Sequence, residues 1–86
     1  MTINKTEILQ SICYTELVYG RINKKLNINI SKKEIEEYIL GILKNTDERD
    51  FIKTGKNYYV TSTENNMRIT INSNTFRIIT VDKINK

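Results

Sequence analysis

The chain contains 86 residues, of which 14 are basic and 10 acidic, so its formal net charge is +4. This length suits one domain, and we predict a single domain over residues 1–86. Histidine is absent and Cys13 is the single cysteine, which excludes a zinc site of His and Cys ligands, Ser-His-Asp or Cys-His catalysis, and an internal disulfide. The lone thiol and the lack of a long apolar run predict a cytoplasmic protein with no membrane partner.

The first predicted helix spans residues 5–26. Asn4 with Glu7 three residues later forms a capping box, and apolar residues then recur at steps of three, four and seven. Further apolar side chains lie off this main stripe: Leu9, Cys13, Leu17 and Val18. We therefore predict a homodimer or larger homo-oligomer formed through this helix, with Cys13 as a small residue of the helix's apolar side.

A second helix is predicted over residues 32–44, because Ser31 and Glu34 form another capping box ahead of an apolar stripe. From Phe51 onward the hydrophobic period changes to two, which predicts a short strand and then three longer ones, at 51–53, 56–62, 67–72 and 75–81. The expected fold class is α+β, with two N-terminal helices packed on one face of a three- to four-stranded antiparallel meander sheet.

A two-residue turn at 73–74 sets the predicted register of the last two strands. It places Ile71 opposite Phe76 and Thr70 opposite Arg77. Because alternate pairs share a sheet face, Ile71 and Phe76 are expected to be a buried facing pair. A slip of one residue would bury Arg77, which supports this register.

The preceding hairpin has a predicted four-residue loop, which pairs Val60 with Ile69 and Tyr58 with Ile71. One sheet face is then apolar. The other, which we call the polar face, carries Tyr59, Thr61, Arg68, Thr70, Asn72, Thr75 and Arg77. Solvated strand faces are commonly rich in Thr and Arg, so the polar face is either ordinary solvated surface or a binding surface.

The predicted ligand-binding residues belong to the polar face: Tyr59, Arg68, Thr70, Asn72 and Arg77. Guanidinium groups, an aromatic ring and hydroxyls are the groups that recognise a phosphate or a nucleobase. Arg68 and Arg77 are expected to lie on neighbouring strands and to converge on one phosphate. Secondary candidates form a patch on the first helix: Tyr14, Glu16 and Arg21. We predict no catalytic residue, no metal ligand and no cofactor.

Three segments together resemble a short bacterial and phage family catalogued only as a domain of unknown function: CYTELVYGRINKKL at 13–26, GKNYYVT at 55–61 and TINSNTFRIITVDK at 70–83. The resemblance implies a compact one-domain α+β protein and brings no known activity. A weaker similarity is to small ribonuclease toxins of the RelE and BrnT kind, which set helices against an antiparallel sheet and use Arg, Lys and Tyr on that sheet. Those toxins usually begin with a strand, unlike this chain.

The function predicted from these observations is a small non-enzymatic binding module for an anionic ligand, either a nucleotide or nucleic acid phosphate. Size, composition and the family resemblance also fit a phage or mobile-element accessory protein that acts against a host defence component. One alternative is a metal-independent ribonuclease toxin of a toxin–antitoxin pair, which without histidine would need Lys or Glu for proton transfer. Another alternative is a module that binds only a protein partner.

Overall fold

The computed structural model describes residues 4–84. Three α-helices and one short 3₁₀ helix precede four strands, and the fold class is α+β, as predicted. The helices are α1 (Lys5–Ser11), α2 (Glu16–Leu26) and α3 (Lys32–Asn45), followed by the 3₁₀ turn (Glu48–Asp50). The strands are β1 (Phe51–Thr54), β2 (Asn57–Ser62), β3 (Met67–Asn72) and β4 (Ile78–Lys83). Among the described residues, no helix has the length and apolarity that crossing a membrane requires.

The prediction of one long first helix is wrong, because the chain leaves the helical conformation after Ser11. Cys13 instead forms a parallel bridge with Arg77. The Cys13 amide donates to the Phe76 carbonyl and the Cys13 carbonyl accepts from the Ile78 amide, both at 2.9 Å. Residues 11–15 are all middling helix formers, so these strand-like hydrogen bonds outweigh continued helix. Cys13 is consequently exposed and not a core residue.

The capping box predicted ahead of α3 is confirmed. The Ser31 hydroxyl accepts from the Glu34 amide at 3.2 Å, and the Glu34 carboxylate accepts from the Ser31 amide at 3.0 Å. This hydrogen bond from the Ser31 amide holds the pKa of the Glu34 carboxyl below its usual value. At the other end of α3, the Lys5 ammonium donates to the carbonyls of Lys44 and Thr46, which ties α1 to the end of α3.

The sheet is an antiparallel meander with strand order β1-β2-β3-β4. The predicted register of β2 and β3 is confirmed, since Val60 pairs with Ile69 and Tyr58 pairs with Ile71. All three helices and all four strands contribute buried apolar side chains to one core. Its members include Ile8, Ile22, Ile39, Phe51, Val60, Ile69 and Val81.

The predicted register of β3 and β4 is wrong. Ile71 pairs with Ile78 instead of Phe76, and a bulge between Thr70 and Ile71 shifts the rest of the ladder. The predicted buried pair of Ile71 and Phe76 is therefore absent, and Phe76 is half-buried. Arg77 precedes β4 and does not face Thr70, whose partner is Thr80.

The turn between β3 and β4 is longer than two residues because the Asn72 side chain organises it. The Asn72 Oδ1 atom accepts from the amides of Asn74 and Thr75, at 2.8 and 2.9 Å. This arrangement is an Asx turn, in which a side chain replaces a backbone acceptor. The Phe76 amide then donates to the Asn72 carbonyl at 2.8 Å, and the Asn72 amide donates to the Arg77 carbonyl at 2.9 Å. Four intervening residues are thus enclosed between Asn72 and Arg77.

Candidate functional site

A cavity of about 330 Å³ lies between the start of α2 and the β3–β4 turn. We call it the arginine cavity, because two of its lining residues are arginines. Its volume is at the lower end of the range of small-molecule sites. The helix side supplies Thr15, Leu17, Val18 and Arg21, and the sheet side supplies Asn72, Thr75, Arg77, Ile78 and Ile79.

The sheet side of the arginine cavity contains a residue with a strained backbone conformation. Phe76 has a φ of 60°, in the left-handed region that costs a bulky residue roughly 1–2 kcal/mol. The Asx turn at Asn72 on one side and the bridge with Cys13 on the other hold Phe76 in this conformation. Its two neighbours, Thr75 and Arg77, both line the cavity. Such over-determined strain is typical of functional positions.

The helix side of the arginine cavity begins at the N-cap of α2. Thr15 has an extended backbone conformation, but its hydroxyl makes no capping hydrogen bond. The first-turn amides of a helix carry partial positive charge and lack intrahelical partners. The Val18 amide donates to the Thr15 carbonyl at 3.1 Å, so an anion beside Thr15 would meet the amides of Glu16 and Leu17, which the Thr15 side chain does not cap.

The charge of the arginine cavity is positive, since among residues 4–84 its lining includes Arg21 and Arg77 and no carboxylate. The Arg21 guanidinium donates a long hydrogen bond of 3.4 Å to the Ile79 carbonyl, which holds it at the cavity. Within residues 4–84, Arg77 forms neither an ion pair nor a side-chain hydrogen bond. Glu16, which lies between the lining residues Thr15 and Leu17 in sequence, pairs with Lys32 at 2.6 Å.

Only part of the predicted ligand-binding set lines this cavity. Asn72 and Arg77 do, but Tyr59, Arg68 and Thr70 do not. Arg68 pairs with Asp82 in the sheet, and it lies four positions from Asn72 along an extended strand, or about 13 Å. The register on which the predicted convergence of Arg68 with Arg77 rested is therefore wrong, because Arg77 lies in the turn before β4 and a bulge shifts the ladder.

The other two members of the predicted set are less accessible than the polar face suggested. Thr70 is 7% exposed and pairs with Tyr59 on one side and Thr80 on the other. Tyr59 is half-buried, and its hydroxyl accepts a 3.4 Å hydrogen bond from the Asn57 side chain. These residues form a separate part of the sheet, away from the arginine cavity.

Of the secondary candidates, too, only some line the arginine cavity. Arg21 lines the arginine cavity, whereas Glu16 is engaged by Lys32 and Tyr14 is half-buried. The Tyr14 ring stacks on Tyr19, with centroids 5.5 Å apart. The Tyr14 hydroxyl is buried without a hydrogen-bond partner in the described part of the chain. Burial raises the pKa of the Tyr14 phenol far above its usual value.

A family model described as a protein of unknown function, DUF3781, matches residues 6–82. The chain belongs to this family. The predicted resemblance to a short family of unknown function is thereby confirmed. The DUF3781 match includes every residue that lines the arginine cavity, so the cavity is part of the family's own domain. No curated protein and no solved structure matched this DUF3781 chain.

Sequence reasoning missed Thr15, Leu17 and Thr75 as members of the site in this DUF3781 protein. The available signal was local: Thr15 follows several middling helix formers and precedes an acidic residue, which is a helix start. Placing α2 at Glu16 would have brought Arg21 to the second turn of a helix. The bridge between Cys13 and Arg77, which brings the start of α2 to the β3–β4 turn, depends on tertiary contacts and has no sequence signature.

The Tyr19 hydroxyl of the DUF3781 protein donates to the Glu36 carboxylate at 2.6 Å. This hydrogen bond raises the pKa of Tyr19 to about 12, because ionisation would place two negative charges together. A raised folded-state pKa stabilises the protein below the unfolded value of about 10, and this contribution is lost as the pH rises towards 12. We expect Tyr19→Phe to lessen the fall in melting temperature across this alkaline range, measured by circular dichroism.

The control for this prediction is Glu36→Gln, which keeps the size of the side chain and removes its charge. It should lower the pKa of Tyr19, which is measured by following tyrosinate absorbance during an alkaline titration. Identical titration curves for the wild-type protein and Glu36→Gln would show that Tyr19 does not depend on this carboxylate.

Proposed function

We propose that this DUF3781 protein is a non-enzymatic binding module that holds a phosphate-bearing anion in the arginine cavity. The observation that carries the proposal is the placement of Arg21 and Arg77 on one cavity to which the described residues contribute no carboxylate. Two like charges at one cavity repel each other, and an anion between them relieves that repulsion. The ligand class is a nucleotide or nucleic acid phosphate.

Hydrogen-bond donors around the two arginines support a phosphate in particular. Planar guanidinium groups bind phosphate oxygens in a bidentate manner. Thr15 and Thr75 add hydroxyls, and the Asn72 side-chain amide is held in place because its oxygen is used by the turn. A cavity of about 330 Å³ can take a phosphate with its attached ribose, while a base would extend over its rim.

We also propose that the three helices cover the sheet face that carries Val60 and Ile69. The arginine cavity would then lie at the end of the sheet, where the β3–β4 turn meets α2. The polar face with Tyr59 and Arg68 becomes ordinary sheet surface in this arrangement, since Thr and Arg are common there. A longer nucleic acid ligand would leave the cavity along α2, where Lys24 follows Arg21 by three residues.

Calorimetric titration tests the proposal, with a nucleoside triphosphate, a cyclic dinucleotide and a short single-stranded RNA as the ligands. We expect binding of at least one of them with a dissociation constant well below about 1 mM, and an affinity that falls as salt is added. The same RNA is incubated with the protein and analysed on a gel, where we expect it to remain intact. Cleavage by the purified protein would favour the ribonuclease alternative, and no binding by any ligand would refute an anion site.

The exposure of Leu17 favours a second candidate function, protein interaction. Leu17 is 81% exposed at the rim of the arginine cavity. Of the four residues on which the predicted homo-oligomer was based, Val18 is buried and Leu9 is half-buried, so Leu17 provides the main apolar surface. We expect light scattering at tens of micromolar to show a dimer for the wild-type protein and a monomer for Leu17→Glu. A monomeric wild-type protein would contradict self-association and leave a different protein partner as the candidate.

A further inference from the structure

A second cavity, of about 550 Å³, lies at the opposite end of β3 from the arginine cavity. The two cavities share no lining residue. Their nearest β3 residues, Met67 and Asn72, are five positions apart on an extended strand, or about 17 Å. We call this second cavity the isoleucine cavity, because three isoleucines line it. Its apolar lining residues are Leu26, Ile28, Ile30, Met67 and Ile84.

The α2–α3 loop forms a rigid wall of the isoleucine cavity. The Asn23 side chain bonds both the amide and the carbonyl of Ile30, each at 3.2 Å. The Ile28 amide donates to the Asn23 carbonyl at 2.9 Å, and Asn27 takes the left-handed conformation that ends α2. These bonds fix Ile28 and Ile30 in place while both side chains remain only half-buried.

The facing wall is fixed by the end of β4 and the β2–β3 loop. The Ile84 amide donates to the Asn66 carbonyl at 2.8 Å. The Asn65 side chain donates to the Ser62 hydroxyl at 3.0 Å, which holds the loop against β2. With both walls held by hydrogen bonds, the apolar space is formed before any ligand arrives, which lowers the entropy cost of binding.

The lining of the isoleucine cavity carries charge of one sign. Within the described part of the chain, Lys83 is the charged residue of its lining, and no carboxylate lines it. Lys83 is exposed and forms no ion pair within residues 4–84. Tyr38 adds a hydroxyl at the same cavity. The lining therefore combines an apolar interior with one cation, which complements a molecule with an apolar body and a single negative end.

We propose that the isoleucine cavity binds an amphiphile, an aliphatic chain with one carboxylate head group, with the chain against Ile28, Ile30 and Ile84 and the head group on Lys83. The cavity volume lies within the range of small-molecule sites. Lysine suits a single carboxylate because its ammonium acts as a compact point charge. This proposal does not depend on the arginine cavity, so each can fail without the other.

Calorimetry with three probes that share a ten-carbon chain tests the head group: decanoate, decanol and decyltrimethylammonium, with the two ions kept below micelle formation and decanol below its solubility limit. We expect decanoate to bind more tightly than decanol, and the cation to bind least. Lys83→Ala should weaken decanoate binding roughly tenfold and leave decanol unchanged, because only decanoate has a charge to pair. The matched control is Lys53→Ala, an exposed lysine of β1 that does not line the cavity and should change neither affinity.

A second variant tests the location. Ile28→Trp places a larger side chain in the cavity and should abolish decanoate binding while the circular dichroism spectrum stays native. The proposal is overturned if decanoate fails to bind the wild-type protein below about 1 mM, or if Ile28→Trp binds it as well as the wild type. Equal binding of the three probes would also overturn it. Cosedimentation with phosphatidylglycerol vesicles without decanoate binding would overturn it in favour of a membrane surface.

Discussion

Replacing Ile69 with alanine is expected to lower the free energy of unfolding by about 2–5 kcal/mol, because the substitution leaves a cavity in the centre of the sheet. Ile69 is completely buried, and its strand neighbours Val60 and Val81 are also completely buried. A domain of this size has only a small net stability, so this loss would remove much of it. Urea unfolding followed by circular dichroism measures the change as a lower midpoint.

The matched control for this prediction is Ile52→Ala in β1. Ile52 is 56% exposed, so the same chemical change should alter the free energy of unfolding by no more than about 0.5 kcal/mol. Equal midpoints for Ile69→Ala and the wild-type protein would contradict the register of β2, β3 and β4. If the Ile69 variant is insoluble, Ile69→Val gives a smaller loss of about 0.5–1.5 kcal/mol that can still be measured.

Strand pairing could be predicted from the sequence where periodicity alone decides it. For β2 and β3, alternation places Tyr58 and Val60 on the same face as Ile69 and Ile71, which is why Val60 and Ile69 were paired correctly. For β3 and β4, two registers bury apolar residues almost equally well. The Asn72 side chain decides between them by capturing two amides of the turn. Because that choice leaves Phe76 half-buried, Phe76→Ala should cost less stability than Ile69→Ala.

The candidate site could be predicted only in part, for a related reason. The hydrophobic periodicity of the sequence continues through the break after Ser11, because Ile12 still packs against the core to which Ile8 belongs. The break is what places Thr15 at a helix start and carries Cys13 to the end of the sheet. Long-range backbone pairing of this kind depends on the assembled sheet. Arg21 and Arg77 were therefore chosen individually from the sequence, while their common cavity was visible only in the fold.

Removal of the Arg77 guanidinium is the test with the largest expected effect on binding. Each charge-assisted hydrogen bond to a phosphate contributes about 1.5–3 kcal/mol, so Arg77→Ala should weaken the ligand found by calorimetry at least tenfold. The melting temperature should change little, because Arg77 is exposed and its side chain forms no ion pair within residues 4–84. Arg77→Lys should restore little affinity, since lysine lacks the planar fork.

Variants at two further arginines distinguish binding in the arginine cavity from binding on the polar face. Arg21→Ala should weaken binding to a similar extent, because Arg21 lines the same cavity. Arg68→Ala should leave the affinity unchanged, since Arg68 lies opposite Asp82 and about 13 Å along β3 from Asn72. The control for the loss of one positive charge is Arg49→Ala, because Arg49 is exposed beside Asp47 in the 3₁₀ turn. If Arg68→Ala weakens binding and Arg21→Ala does not, the ligand binds on the polar face and the arginine cavity is not its site.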